Sequence, residues 1–277
     1  MSSTLAPLTA IVIACLAGGA LSVLAAAGTL ALHSRWISPL VSFAVGALLG
    51  AVFLELLPHA LEHGATQRVM LTVLIGLLLF FLLEKLVLWR HSHLEAESLA
   101  EAALADATED ATKDATEDAR PHSHGFDGGR SGLMILIGNS VHNFCDGIVI
   151  AAAFIADFTL GTTTALAIVA HAIPQQVGDF AVLLHSGYTR RRAFVYNLAT
   201  GAATLAGGLA GYAALASMQE VLPTVLALAA ASLLYVAVAD LIPSLHRLPS
   251  PGETARQLAL IGVGIAIIAI AHGALEH

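Results

Sequence analysis

The chain has 277 residues, 57% of them apolar and 12% charged, with a formal net charge of −8 and a mean hydropathy of +0.80. A water-soluble domain carries about 25% charge, so the composition excludes one and predicts an all-α polytopic membrane protein. The acidic balance argues against nucleic acid as a partner, which calls for clustered Lys and Arg in a basic domain.

At about 20 apolar residues per span, the length leaves no room for a separate soluble domain. Residues 1–277 are expected to form a single transmembrane domain of eight helices, roughly 8–32, 38–60, 69–89, 132–156, 160–186, 192–217, 220–245 and 256–275. No Lys or Arg precedes Arg35, so the first run lacks the charged start of a secretory signal and reads as a retained helix. Cys15 and Cys145 both fall in apolar runs and read as buried free thiols.

The second span ends FLELLPHALEH. Glu55, His59 and Glu62 follow an i, i+4, i+7 pattern on one helical stripe, and His63 is expected at the outer surface. The segment 91–130 is the one long loop. It holds ten of the twenty acidic residues and carries His91, His93, His122 and His124 at its ends. It reads equally as a solvated linker and as a cation-collecting tract.

Carboxylates and imidazoles inside a span are costly and by default mark a pathway or a site. The fourth span contains GNSVHNFCDG, with His142, Asn143 and Asp146; the fifth contains AHAIPQQVGDF, with His171, Gln175 and Asp179. His142 and Asp146 are four apart, as are His171 and Gln175, so each pair shares a face. One imidazole and one carboxylate on a face can bind the same divalent ion, and Asn143 and Gln175 can add amide oxygens. Pro174 removes a backbone donor in the fifth span, which predicts a kink and frees a carbonyl. Glu55, His59, Asp179 and Asp240 are assigned to the pathway or its gates. Asp179 lies eight residues past His171, about 12 Å along a helix, too far to share its ion.

Lys and Arg set the orientation. The odd loops carry ten (Arg35; Arg90, Lys113, Arg120, Arg130; Arg190, Arg191, Arg192; Arg247, Arg256) and the even loops carry Arg68 alone. The positive-inside rule puts the odd loops, including the acidic 91–130 loop, in the cytoplasm and both termini outside. Glu55-Leu-Leu-Pro58 in the second span matches Asp240-Leu-Ile-Pro243 in the seventh. Those spans run in opposite directions, as an inverted repeat of helices 1–3 and 6–8 would leave them.

HNFCDG (142–147) and HAIPQQVGDFA (171–181) together resemble the ZIP family of divalent-metal transporters, whose patterns are HNxxDG and, in the His-rich branch, close to HEIPHEVGDFA. ELLPHAL in the second span is similar to that branch as well, and the likeness extends over the whole eight-span architecture. It implies uptake of zinc, and in some members iron, manganese or cadmium, toward the cytoplasm through a site between helices four and five. His142, Asn143, Asp146 and His171 match family ligand positions. Ala172 stands where the family has an acidic residue. Gln175 stands at the position before the second acidic residue or, in another register, at that residue. A single ion, rather than a carboxylate-bridged pair, is therefore expected, with no cofactor beyond the transported metal. The expected surroundings are a lipid bilayer, the bacterial inner (plasma) membrane, with pairing into a homodimer left open. An intramembrane zinc hydrolase is the rival reading, without HExxH or GxSxG in its favour; a non-transporting metal-sensing homologue is another.

Overall fold

The computed structural model describes residues 2–28, 36–86, 130–246 and 250–275. The loop expectations for 91–129, including its four histidines, lie outside the described residues. The described chain forms eight helices, each long and apolar enough to cross a membrane. They are α1 Ser2–Gly28, α2 Ile37–His63, α3 Thr66–Leu86, α4 Arg130–Ala156, α5 Phe158–His185, α6 Arg190–Leu215, α7 Gln219–Leu245 and α8 Pro251–Leu275. The predicted spans match all eight, and the chain is a multi-pass integral membrane protein.

Caps define several boundaries. The Asp157 side chain accepts from Leu160 N–H at 3.0 Å and starts α5. The Ser250 hydroxyl accepts from Glu253 N–H at 3.2 Å and starts α8. Each satisfies one of the orphan donors at a helix N-terminus.

The sequence pattern did not show that α2 and α7 are interrupted. Ala51–Leu56 in α2 and Val236–Leu241 in α7 are π-helical. Leu57 N–H donates to Val52 C=O, and Ile242 N–H to Ala237 C=O, each five residues back. The physical cause lies just downstream, at Pro58 and Pro243. A proline ring clashes with the carbonyl four residues before it and offers no N–H, and a widened turn relieves both problems. Pro174, by contrast, sits inside an uninterrupted α5.

Between helices in lipid, association rests on close packing rather than on the hydrophobic effect. Small residues provide it. A Cβ on Gly147 of α4 would lie 2.0 Å from the Thr204 carbonyl oxygen of α6, and one on Gly207 would lie 1.9 Å from that of Phe144. The two backbones therefore touch. α1 packs on α5 and α6, and α2 on α8 and α5, while Gly76 of α3 meets Ala231 of α7. Tyr235 of α7 also donates to the Glu84 carboxylate of α3. α2 is the most enclosed helix, with Leu48, Val52 and Leu56 fully buried in one cluster with Leu226, Leu233 and Ile268, and Val45 buried with Val41 and Leu245. α3 exposes Leu71, Leu74, Ile75 and Leu78, the apolar face a lipid-facing helix needs.

Candidate metal centre

A one-residue turn sets the site. Asp157 alone separates α4 from α5, so the two helices return side by side. His142 lies fifteen residues before Asp157 and His171 fourteen after it. At about 1.5 Å per residue both sit roughly 21–22 Å from the turn, at one depth in the bundle. The shared depth brings their imidazoles together.

His142 Nε2 and His171 Nε2 are 3.3 Å apart. Asp146 Oδ2 is 3.5 Å from the first and 3.4 Å from the second. His171 and Asp146 are 1% and 2% exposed by side chain, and His142 is 24% exposed. The three form the one group of at least three His, Cys, Asp or Glu among the described residues whose ligand atoms lie within 4.8 Å of one another. A tetrahedral zinc with bonds of about 2.0–2.1 Å separates its ligands by about 3.3–3.4 Å. The observed triangle has those edges. Two lone-pair nitrogens and a carboxylate oxygen facing one point repel unless a cation or proton stands between them.

Asn143 is 3% exposed, and its Nδ2 has no hydrogen-bond partner among the described residues. It lines a cavity of about 20 Å³ between α1, α4, α5 and α6, together with Cys15, Asp146, Ala172, Gln176 and Thr204. That volume holds about one water. Gln176, which the spacing argument passed over, is the deeper of the two glutamines, at 1% exposure. Its Nε2 donates to Thr200 Oγ1 at 3.2 Å, and its backbone carbonyl accepts from Asn197 Nδ2 at 3.0 Å. Its Oε1 is buried without a partner among the described residues, as is that of Gln175. Gln175 is half-buried and does not line this cavity.

The remaining pathway candidates stand outside the triangle, Asp240 still within electrostatic range of His142 and His171. Asp179 is held by a hydrogen bond from the Asn139 side chain, away from the triangle. Asp240 is exposed in the π segment of α7. Glu55 is 4% exposed, with Oε2 3.0 Å from His272 Nδ1 of α8. No motif pointed to His272, which lies 217 residues away. Glu55, His59, Glu62, His63, Asp157 and His272 line a vestibule of about 680 Å³ at the end of the bundle where α2 meets α3 and α4 meets α5. The expected grouping of Glu55, His59 and Glu62 is thus realised. Cys15 is a buried free thiol, and Cys145 is half-buried and free.

An eight-helix membrane bundle with a buried His–Asp–His triangle is the framework of a metal-handling membrane protein. The family model described as ZIP Zinc transporter matches residues 3–272, and the chain belongs to that family. Zinc transporter ZIP13 of Pongo abelii is 30% identical over 251 residues, covering 84% of this chain and 66% of that protein. Zinc transporter ZIP5 of Homo sapiens is 34% identical over 283 residues, covering 85% and 52%. The Zinc transporter ZIP13 homolog of Drosophila melanogaster is 29% identical, covering 88% and 79%. The chain spans under two thirds of the length of the first two.

Proposed function

We propose that the chain is a transporter that moves a divalent metal ion, zinc foremost and iron, manganese or cadmium as related cargo, toward the cytoplasm. The ion binds between α4 and α5 at His142, Asp146 and His171, with Asn143 and Gln175 as adjustable oxygen ligands. The triangle with edges of 3.3, 3.4 and 3.5 Å carries this reading. The names of the relatives agree with it. Imidazole favours zinc-like ions over magnesium and calcium.

A hydrolase would need a general base beside the metal. The one carboxylate in the triangle is itself a ligand, and no fourth acidic group joins it within 4.8 Å among the described residues. The binding reading is therefore preferred to the catalytic one. A single ion is preferred to a bridged pair, because Ala172 and Gln176 line the cavity behind Asp146 without adding charge.

Ten positive charges against one support a cytoplasmic position for the odd loops. The vestibule, lined by the α2–α3 and α4–α5 turns and the end of α8, then faces outward. α1 packs on α5 while α6 packs on α4; α2 packs on α8 while α3 meets α7. Exchanging helices 1–3 with 6–8, and 4 with 5, preserves these pairings, which supports the inverted repeat and rocking of one unit against another. Helical spans fit the bacterial inner membrane as the location. The exposed face of α3 is where a second copy would pack in a homodimer.

The test is zinc flux into proteoliposomes by the purified chain. Asp146→Ala is expected to abolish flux and binding at the triangle, while Asp179→Ala leaves binding measurable. Equal loss of binding in both would overturn the assignment, and a wild-type chain that binds zinc without flux would be a sensor. Cysteines placed beside Arg191 or within 95–127 should resist impermeant thiol reagents in intact cells, and one at Glu276 should react. Labelling at 191 would reverse the orientation.

A further inference from the structure

We propose that His59 and His63 form a second metal site, at the mouth of the vestibule, which captures a late first-row divalent cation ahead of the central triangle. The proposal rests on the transport reading for its role in delivery, but not for binding itself.

The two residues occupy the last turn of α2, four apart, on one face. Their rings stack with centroids 4.3 Å apart and planes inclined by 23°. His63 Nδ1 lies 3.0 Å from the His59 carbonyl oxygen. A carbonyl oxygen only accepts, so Nδ1 carries the proton and the neutral ring keeps its lone pair on Nε2. Fixing one ring nitrogen in this way is how proteins orient an imidazole for a metal.

The surroundings favour a cation. His59 and His63 line both the vestibule and a neighbouring pocket of about 400 Å³. Glu62 and Asp157 share the first opening, and Glu220 the second. Carboxylates around an aqueous cleft raise the local concentration of cations. Ala156, which lines both openings, is fourteen residues beyond His142 on α4. That is about 21 Å along the helix, so this site and the triangle hold separate ions.

The chemistry is that of loose capture. Two imidazoles select a zinc-like ion over magnesium or calcium. The central triangle is the one three-ligand group among the described residues, so an ion on His59 and His63 keeps water in its remaining positions. Such an ion binds more weakly than one in the triangle and leaves readily for the next ligands.

Purified protein carrying Asp146→Ala together with His171→Ala, which leaves a single imidazole where the triangle had two, should still bind one zinc ion in equilibrium dialysis. Adding His59→Gln or His63→Gln should weaken that ion by roughly tenfold or more, the loss expected when a two-ligand chelate becomes a single ligand. His63 is exposed, so its replacement leaves the packed core intact, and melting temperature reports any unfolding. With the triangle intact, His63→Gln should raise the half-saturating zinc concentration for flux by about threefold or more. Absence of zinc binding in the Asp146→Ala/His171→Ala protein would overturn the proposal. So would a residual site indifferent to both histidine substitutions. A merely structural role as a helix cap would shift the melting temperature and leave zinc binding unchanged. A wild-type chain without flux would sink the transport reading alone, and the dialysis result would still decide this one.

Discussion

Glu55 and Asp240 are each the fifth residue of a six-residue π-helical segment, three positions ahead of a proline. They match in position and differ in environment. Glu55 is 4% exposed, with Oε2 3.0 Å from His272 Nδ1, whereas Asp240 is exposed. A carrier built on the proposed repeat would use such a difference, with one end closed while the other is open. We predict that Asp240→Cys in purified protein reacts quickly with maleimide and Glu55→Cys slowly, and that zinc turnover speeds the second. Equal rates at rest would count against the asymmetry.

The Glu55–His272 pair ties α2 to α8. Removing one partner leaves the other without that contact. Loss of a fully buried pair member costs about 3–5 kcal/mol. His272 is 38% exposed by side chain, so solvent screening should reduce the cost to about 1–2 kcal/mol. Glu55→Gln and His272→Gln singly should each destabilise the detergent-solubilised protein. The double variant should cost less than the sum, because the interaction is lost once. Thermal unfolding of the four proteins measures the coupling; strict additivity would mean the pair contributes none.

The His142–Asp146 segment of α4 is held by backbone contact with α6. Gly207→Ala would set a Cβ 1.9 Å from the Phe144 carbonyl oxygen, two residues from Asp146. The helices must part, at a cost typical of overpacking, about 1–3 kcal/mol, and zinc affinity should fall with stability. Gly138→Ala on the same α4 meets nothing within 4 Å. It should be neutral or stabilising by up to about 1 kcal/mol through helix propensity. Melting temperature and zinc titration on both proteins check this, and a harmless Gly207→Ala would contradict the close approach.

Gln176 sets the charge behind the site. A divalent ion at +2 with Asp146 at −1 leaves about +1 in a poorly screened interior. Gln176→Glu is nearly isosteric and adds a carboxylate beside the cavity that Asp146 also lines. Without zinc it should destabilise by about 1–3 kcal/mol, because a buried amide that donates to Thr200 becomes a charge. Zinc should restore stability and bind more tightly than to the wild-type protein, and two ions per chain become feasible. The readout is melting temperature and metal stoichiometry with and without zinc. Unchanged zinc affinity would show that Gln176 stands apart from the ion's field.

Apolar run length made the eight helices legible. Each span is long enough to satisfy its own backbone in lipid, so local composition dictates it without help from distant residues. The pairing of His142 with Asp146 was legible for the same reason, since four residues make one helical turn. Meeting His171 depended on α4 and α5 returning at one depth, which the single-residue turn at Asp157 enforces and no spacing rule states. The π segments escaped the helical pattern because a proline is compatible with a kink, a break or a widened turn. Only the packed bundle chose, interrupting α2 and α7 while leaving Pro174 inside a continuous α5. Gln175 was singled out on spacing because it follows His171 by four, whereas Gln176, held by Asn197 and Thr200 of α6, had no such spacing signal. His272 had no local signal at all. Its partner Glu55 lies 217 residues earlier, and tertiary packing alone brings α8 against α2.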